Sequence, residues 1–284
     1  MHDERPSEVE GEYQPPPAPA PRPSGQSRWK NAGGVAIGAG LLVAKFKTAL
    51  AVLLSFKWIL LGGKFALSFG SIFASIWFYA LLFGWKLGVV FVLLVLVHEM
   101  GHWLSFRAMG VPVSLPYFIP GFAAFVQAKA APPSPAHGAV AALMGPVLGI
   151  AASAICYGYG ITTDNKFWFA AAYIGFFLNL LNLIPFSIFD GAKVAEVIDP
   201  RLFWLGVIFF GVVITTIGLH SPMAWLWLAL IGVAGIPRLR MAWRGEVPPQ
   251  FTQTPVGVRR TIAVGYFATI AIAAAGAGVT MLAR

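Results

Sequence analysis

Two histidines and a glutamate stand at a spacing suited to metal chemistry, in the segment 97–102, Val-His-Glu-Met-Gly-His. Residues four apart lie on one face of a helix, so His98 and His102 can present both imidazoles to one ion. Glu99 lies beside them, where its carboxylate can hold a water molecule and accept its proton. Because an ionisable side chain within an apolar span is costly and usually functional, this group predicts a metal site.

A third ligand must come from elsewhere, because a catalytic zinc ion typically has three protein ligands and one open position. We prefer Asp190, in the segment 182–191, Asn-Leu-Ile-Pro-Phe-Ser-Ile-Phe-Asp-Gly, since it follows an apolar run that ends at the same depth as His102. Asp190 could instead serve as a helix cap or a turn residue. Two other ligands stay open, namely His137, where a surface role is more common, and Glu196, just past Asp190.

These residues are positioned by apolar runs that are long enough to cross a membrane. Hydrophobic residues make up 58% of the 284 and charged residues 11%, with a mean hydropathy of +0.74. Soluble domains carry about 25% charged residues. We therefore predict an all-α polytopic membrane protein with about six to seven transmembrane helices of about 20 residues each. The predicted spans are 66–85, 87–106, 137–160, 167–186, 203–219, 222–236 and 261–282.

Composition divides the rest of the chain. Residues 1–33 are rich in proline and predict a disordered tail. Residues 34–65 are apolar but interrupted by four lysines, which predicts a helix lying in the membrane interface. The segment 111–136 holds six prolines with β-prone stretches between them, which predicts a short re-entrant loop or β-hairpin that lines a protein cavity. Residues 66–200 would then form a catalytic membrane core, and 201–284 would add further transmembrane helices.

The basic residues also indicate an orientation. The net charge is +9, but the basic residues lie between apolar runs rather than in one domain, which excludes a nucleic-acid-binding interpretation. If the amino-terminal tail is cytoplasmic, the inner loops collect nine basic residues and the outer loops only Lys86 and Lys166. This asymmetry predicts an integral protein of the cell (inner) membrane, with its N-terminus and its active site toward the cytoplasm. Cys156 is the single cysteine, so no internal disulfide can form.

Three motifs occur in order along the chain: His98-Glu-x-x-His102, Gly145-Pro146, and Asn182-x-x-Pro185 leading to Asp190-Gly191. Together, over residues 66–200, they resemble the site-2 protease family, in the type that lacks a PDZ domain. The resemblance implies that His98, His102 and Asp190 bind one zinc ion per chain. It also implies that Glu99 is the general base and that Asn182 contacts the substrate backbone.

Two positions depart from the family pattern. Ala192 replaces the second glycine of Asp-Gly-Gly, and Met144 stands before Gly145 where many members have glycine. Neither position is a ligand in the pattern. The resemblance implies a zinc metalloendopeptidase that hydrolyses a peptide bond within a transmembrane helix of a membrane-anchored substrate, in regulated intramembrane proteolysis. Its partners would be that substrate and the lipid bilayer.

Two other functions compete with this one. A different H-E-x-x-H membrane peptidase would take its third ligand from a downstream glutamate, either Glu196 or Glu246. A non-proteolytic metal-binding membrane transporter or scaffold would close its zinc site with four protein ligands, whereas the sequence offers three good candidates.

Two further features predict packing rather than chemistry. Asn179 is a buried amide within an apolar run, and such amides commonly bond across helices. Gly145 and Pro146 predict a close helix approach and a kink beside the site.

Overall fold

The computed structural model describes residues 45, 47, 63–216 and 222–283. The predicted tail at 1–33 and most of the predicted interfacial helix at 34–65 lie outside the described residues. Everything below concerns the compact unit that lies within 49–284. Its elements are α1 (Gly63–Phe83), α2 (Trp85–Ala108), β1 (Tyr117–Ile119), β2 (Ala123–Phe125), α3 (Pro135–Thr163), α4 (Lys166–Asn182), α5 (Asp190–Ile198), a 3-10 turn (Pro200–Leu202), α6 (Phe203–Thr216), α7 (Pro222–Trp243), α8 (Pro249–Thr252) and α9 (Val256–Leu282).

The architecture is mostly helical, and several helices are suited to a bilayer. Within the described ranges, α2, α3 and α9 are long and apolar enough to cross a membrane. Two shorter apolar helical stretches accompany them, Leu67–Phe83 and Pro200–Val213. The protein is therefore integral to a membrane, as the composition predicted. The count of six to seven spans stays a prediction.

Helix α3 lies at the centre of the core, packed against α2 on one side and α4 on the other. It begins where Ser134 accepts a hydrogen bond from the His137 amide, with Pro135 as its first residue. It ends at Asp164, whose left-handed backbone (φ 48°) reverses the chain. The Asn165 side chain then caps α4 by accepting from the Phe167 amide. The short turn makes α3 and α4 antiparallel neighbours.

The proline-rich segment contains an antiparallel hairpin, in which Tyr117 pairs with Phe125 and Ile119 with Ala123. Serines of α1 hold its first strand. The Ser68 hydroxyl donates to the Pro116 carbonyl, and the Ser71 hydroxyl accepts from the Phe118 amide at 3.0 Å. These bonds satisfy backbone groups on the edge of β1 that faces α1, so the hairpin has a fixed place beside α2.

The segment between α4 and α5 delivers Asp190 to the core, and distant helices hold it. Tyr266 of α9 donates its hydroxyl to the Leu183 carbonyl at 2.5 Å. Arg238 of α7 donates to the Ser187 carbonyl at 2.6 Å. Gly191 passes so close to the Leu183 carbonyl that a side chain there would overlap it. The position of Asp190 thus depends on α7 and α9 as well as on its own helix.

Candidate metal centre

Helix α2 and the start of α5 bring three side chains to one point. His98, His102 and Asp190 are all buried, with 3%, 7% and 6% of their surface exposed. Asp190 Oδ2 lies 3.2 Å from His98 Nε2 and 3.1 Å from His102 Nε2, and the two Nε2 atoms are 3.1 Å apart. The three atoms form a nearly equilateral triangle. Glu99 is buried beside it, with a carboxylate oxygen within 4.8 Å of a nitrogen of each histidine.

The second nitrogen of His102 fixes its tautomer. Nδ1 lies 2.8 Å from the Ala141 carbonyl of α3. A carbonyl oxygen only accepts, so Nδ1 must carry the hydrogen. The Nε2 lone pair of the neutral ring is then directed into the triangle.

His98 is fixed in the same way by a side chain. Its Nδ1 lies 2.8 Å from Oδ1 of Asn179, a fully buried residue of α4. The Asn179 amide nitrogen donates to the Gly175 carbonyl at 2.7 Å, which orients the amide with its oxygen toward His98. His98 therefore carries its hydrogen on Nδ1 and presents Nε2 as an acceptor. The predicted bond of Asn179 across helices exists, and its partner is a candidate ligand.

With these tautomers, three acceptor atoms converge in a buried place, an arrangement that suits a cation among them. Burial raises the pKa of the Asp190 carboxyl, but its contacts with the two histidines and the charge of Lys193 hold it well below its ordinary value. Lys193 approaches the other carboxylate oxygen, Oδ1, at 3.4 Å. Asp190 is therefore held as a carboxylate, suited to a cation.

Helix α3 can seat these side chains only because it lacks side chains at two positions. A Cβ at Gly145 would overlap the His102 ring, and one at Gly149 would overlap the Asn179 amide. Gly101 of α2 meets the Met144 carbonyl in the same way. The close approach predicted for Gly145 thus places the α3 backbone against the imidazole itself.

The alternative ligands have other partners. His137 is exposed, and its Nδ1 lies 2.8 Å from the Ser134 hydroxyl at the start of α3. Glu196 accepts from Arg238 at 2.6 Å.

Asn182, the predicted contact of the substrate backbone, donates from its amide nitrogen to the Leu178 carbonyl at 3.1 Å, within its own helix.

Two cavities meet at this group. One, of about 130 Å³, is lined by the two histidines, Glu99, Asp190 and Lys193. The other, of about 410 Å³, extends from His98 and Glu99 among mostly apolar side chains. Asn182 lines both cavities, as does Ala124 of β2. The hairpin therefore runs along both.

Residues 86–165 match the model of peptidase family M50. This region is therefore similar to the site-2 protease family. The match runs from α2 to the end of α3, so it includes His98, Glu99 and His102 and stops before Asp190. The match supports the resemblance drawn from the motifs, and with the apolar helices it favours a membrane metallopeptidase. No curated protein matches it.

Proposed function

We propose that this protein is an intramembrane zinc metalloprotease that hydrolyses a peptide bond within a transmembrane helix of a membrane-anchored substrate. The convergence of His98 Nε2, His102 Nε2 and Asp190 Oδ2 at 3.1–3.2 Å carries the proposal. Ligands at 2.0–2.1 Å from a tetrahedral zinc ion are about 3.4 Å from one another, so the donor set fits that ion closely. Nitrogen and carboxylate donors are also the types that catalytic zinc sites use.

The residues divide the labour. His98, His102 and Asp190 would hold the ion, which supplies Lewis-acid polarisation of the substrate carbonyl when bound. Glu99 accepts the proton of the attacking water and passes it to the leaving amine. The 130 Å³ cavity beside the triangle leaves room for water and one carbonyl group. A transporter or scaffold would close its zinc site with four protein ligands, so a cavity beside the ion favours the protease over that alternative.

A transmembrane substrate must be opened before it can be cut, because each carbonyl of an intact helix is committed to a backbone hydrogen bond. In hydrocarbon an unpaired backbone group costs several kcal/mol, so replacements are needed. Strand β2 runs along both cavities and offers an edge for an extended segment. The Asn182 amide is a second partner for a freed group. Residues that weaken a helix, such as Gly, Asn or Pro, lower the remaining cost.

The charge asymmetry supports a cytoplasmic N-terminus, with the active site near the inner face. We expect cysteines introduced by Ala242→Cys and by Asp164→Cys, each in a Cys156→Ala background, to label from opposite sides of sealed vesicles. Labelling of both positions from one side would contradict this topology, and labelling of position 242 from outside would invert it and move the zinc site to the outer leaflet.

The experiment that tests the function uses two reporter helices, one of Leu and Ala only and one with Asn-Gly near its cytoplasmic end. Wild-type protein in vesicles should cut the second preferentially, and mass spectrometry of the products should place the cut in the cytoplasmic half. Glu99→Gln should cut neither. Equal cleavage of both reporters, a cut near the outer face, or undiminished cleavage by Glu99→Gln would overturn the proposal.

A further inference from the structure

The larger of the two cavities has a composition of its own. It measures about 410 Å³ and lies between α1, α2, the hairpin, α4 and α7. Its walls are mainly apolar, including Phe91, Val92, Val95 and Phe118. An apolar cavity of about 150 Å³ suffices to bind benzene. This one therefore has room for more than one apolar side chain.

One polar side chain in that wall stands out. Helix α1 carries serines at 68, 71 and 75, on one face, and the first two bond the backbone of the hairpin. Ser75 lines the cavity and is 1% exposed. Among the described residues its Oγ has no hydrogen-bond partner. A buried hydroxyl without a hydrogen-bond partner is unfavourable. In a native protein such a group commonly has a functional role or a partner, such as a ligand or water, that completes its hydrogen bond.

The cavity also lies on a defined side of the catalytic group. Phe91, Val92 and Val95 precede His98 by one to two helical turns, whereas Lys193 lines the small cavity on the other side. Under the proposed orientation, the mostly apolar cavity lies deeper in the membrane than Glu99, and Lys193 lies on its cytoplasmic side.

We propose that the 410 Å³ cavity is the subsite for the substrate residue on the membrane side of the scissile bond. It takes a bulky apolar side chain, such as Leu or Phe, while the Ser75 hydroxyl donates to a substrate carbonyl freed by unwinding. A carbonyl freed in apolar surroundings needs a hydrogen-bond donor. The Ser75 hydroxyl is a buried donor that lacks an acceptor among the described residues. The inference rests on the proposed function and names the side chain that the same site prefers.

The first test compares two serines of α1. Ser75→Ala should leave the thermal midpoint unchanged, because its hydroxyl has no partner in the free protein, while kcat/KM for a helical reporter falls about 3- to 10-fold, the effect of one hydrogen bond. Ser71→Ala is the matched control. It removes the partner of the Phe118 amide and should lower the midpoint. Equal losses of stability in the two variants, or unchanged kcat/KM in Ser75→Ala, would overturn the role of Ser75.

The second test changes the size of the cavity. Reporters carrying Ala, Leu or Phe on the membrane side of the cut are offered to wild type, Val95→Ala and Val95→Phe. Wild type should prefer Leu to Ala by at least about 10-fold, the discrimination that an apolar pocket gives. Val95→Phe should remove that preference, and Val95→Ala should shift it toward Phe. Leu93→Phe, on an exposed position of the same helix, should leave it unchanged.

Bound zinc, measured in every variant, separates the possible failures. If wild type cuts no reporter, or Glu99→Gln cuts equally well, the proposed function fails. If wild type cuts all three reporters with the same preference as both Val95 variants, and zinc is retained, the subsite alone is overturned. If Val95→Phe misfolds and loses its zinc, the subsite is tested by Val95→Ala alone, which should shift the reporter preference toward Phe.

Discussion

The two sides of Glu99 are built in opposite ways. Toward α3, the His102 ring fits against bare backbone at Gly145 and the Asn179 amide against Gly149, and each imidazole Nδ1 has a hydrogen-bond acceptor. Toward α1, a cavity of about 410 Å³ adjoins the same carboxylate, and the hydroxyl of Ser75 lacks a partner within the described ranges. The close packing on the α3 side suits a fixed ion site. The cavity on the α1 side suits a polypeptide substrate whose side chains vary.

The largest effect should come from filling the packed side. We expect Gly145→Ala to lower metal affinity about 100-fold or more, because the added methyl group overlaps the His102 ring and displaces a ligand. Gly158→Ala, at an open position of the same helix, should bind metal as wild type does. Metal content by mass spectrometry after dialysis measures the difference. Equal metal content in the two variants would mean that the packing of Gly145 against the His102 ring is not rigid.

A smaller effect should follow from removing the support of one imidazole. Asn179→Leu deletes the acceptor that holds the His98 Nδ1 hydrogen, and such partners typically contribute 10- to 100-fold in metal affinity. Asn179→Asp keeps an acceptor and should lose less. Competition with a chromogenic chelator gives the affinities. A difference from wild type of less than twofold in Asn179→Leu would show that His98 is held by packing alone.

The smallest effect should come from the remote support of Asp190. Tyr266→Phe removes the hydroxyl that bonds the Leu183 carbonyl, which should lower the free energy of unfolding by about 1–3 kcal/mol. Tyr159→Phe, on an exposed part of α3, should change it little. Thermal unfolding in detergent compares the two. Equal midpoints would indicate that the segment before Asp190 does not need α9.

The parts of this account that were visible in the sequence are local ones. His98, Glu99 and His102 share a helix turn, so their spacing alone predicts that they converge. Asp190 required an argument about equal membrane depth, and the contacts between it and the histidines agree with that choice without testing it as a ligand. The position of Asn179 in an apolar span predicted a hydrogen bond across helices, but nothing in the sequence identified His98 as its partner.

Other contributions carried no local signal. The bonds from Tyr266 to Leu183 and from Arg238 to Ser187 join residues more than fifty positions apart, and neither tyrosine nor arginine stands in a motif. The hairpin followed from β-prone stretches between prolines, whereas its attachment to the serines of α1 depends on how two distant segments pack. The cavity likewise belongs to five elements at once.

The central claim is that His98, His102 and Asp190 hold a zinc ion while Glu99 handles the proton of the attacking water. Zinc per chain, measured in purified His98→Ala, His102→Ala, Asp190→Ala and Glu99→Gln, tests it most directly, with Asp164→Ala as an exposed acidic control. We expect the first three to lose zinc, and Glu99→Gln to keep one ion per chain and lose all proteolysis. Full zinc in Asp190→Ala would contradict the assignment and point to Glu196 or His137 as the third ligand.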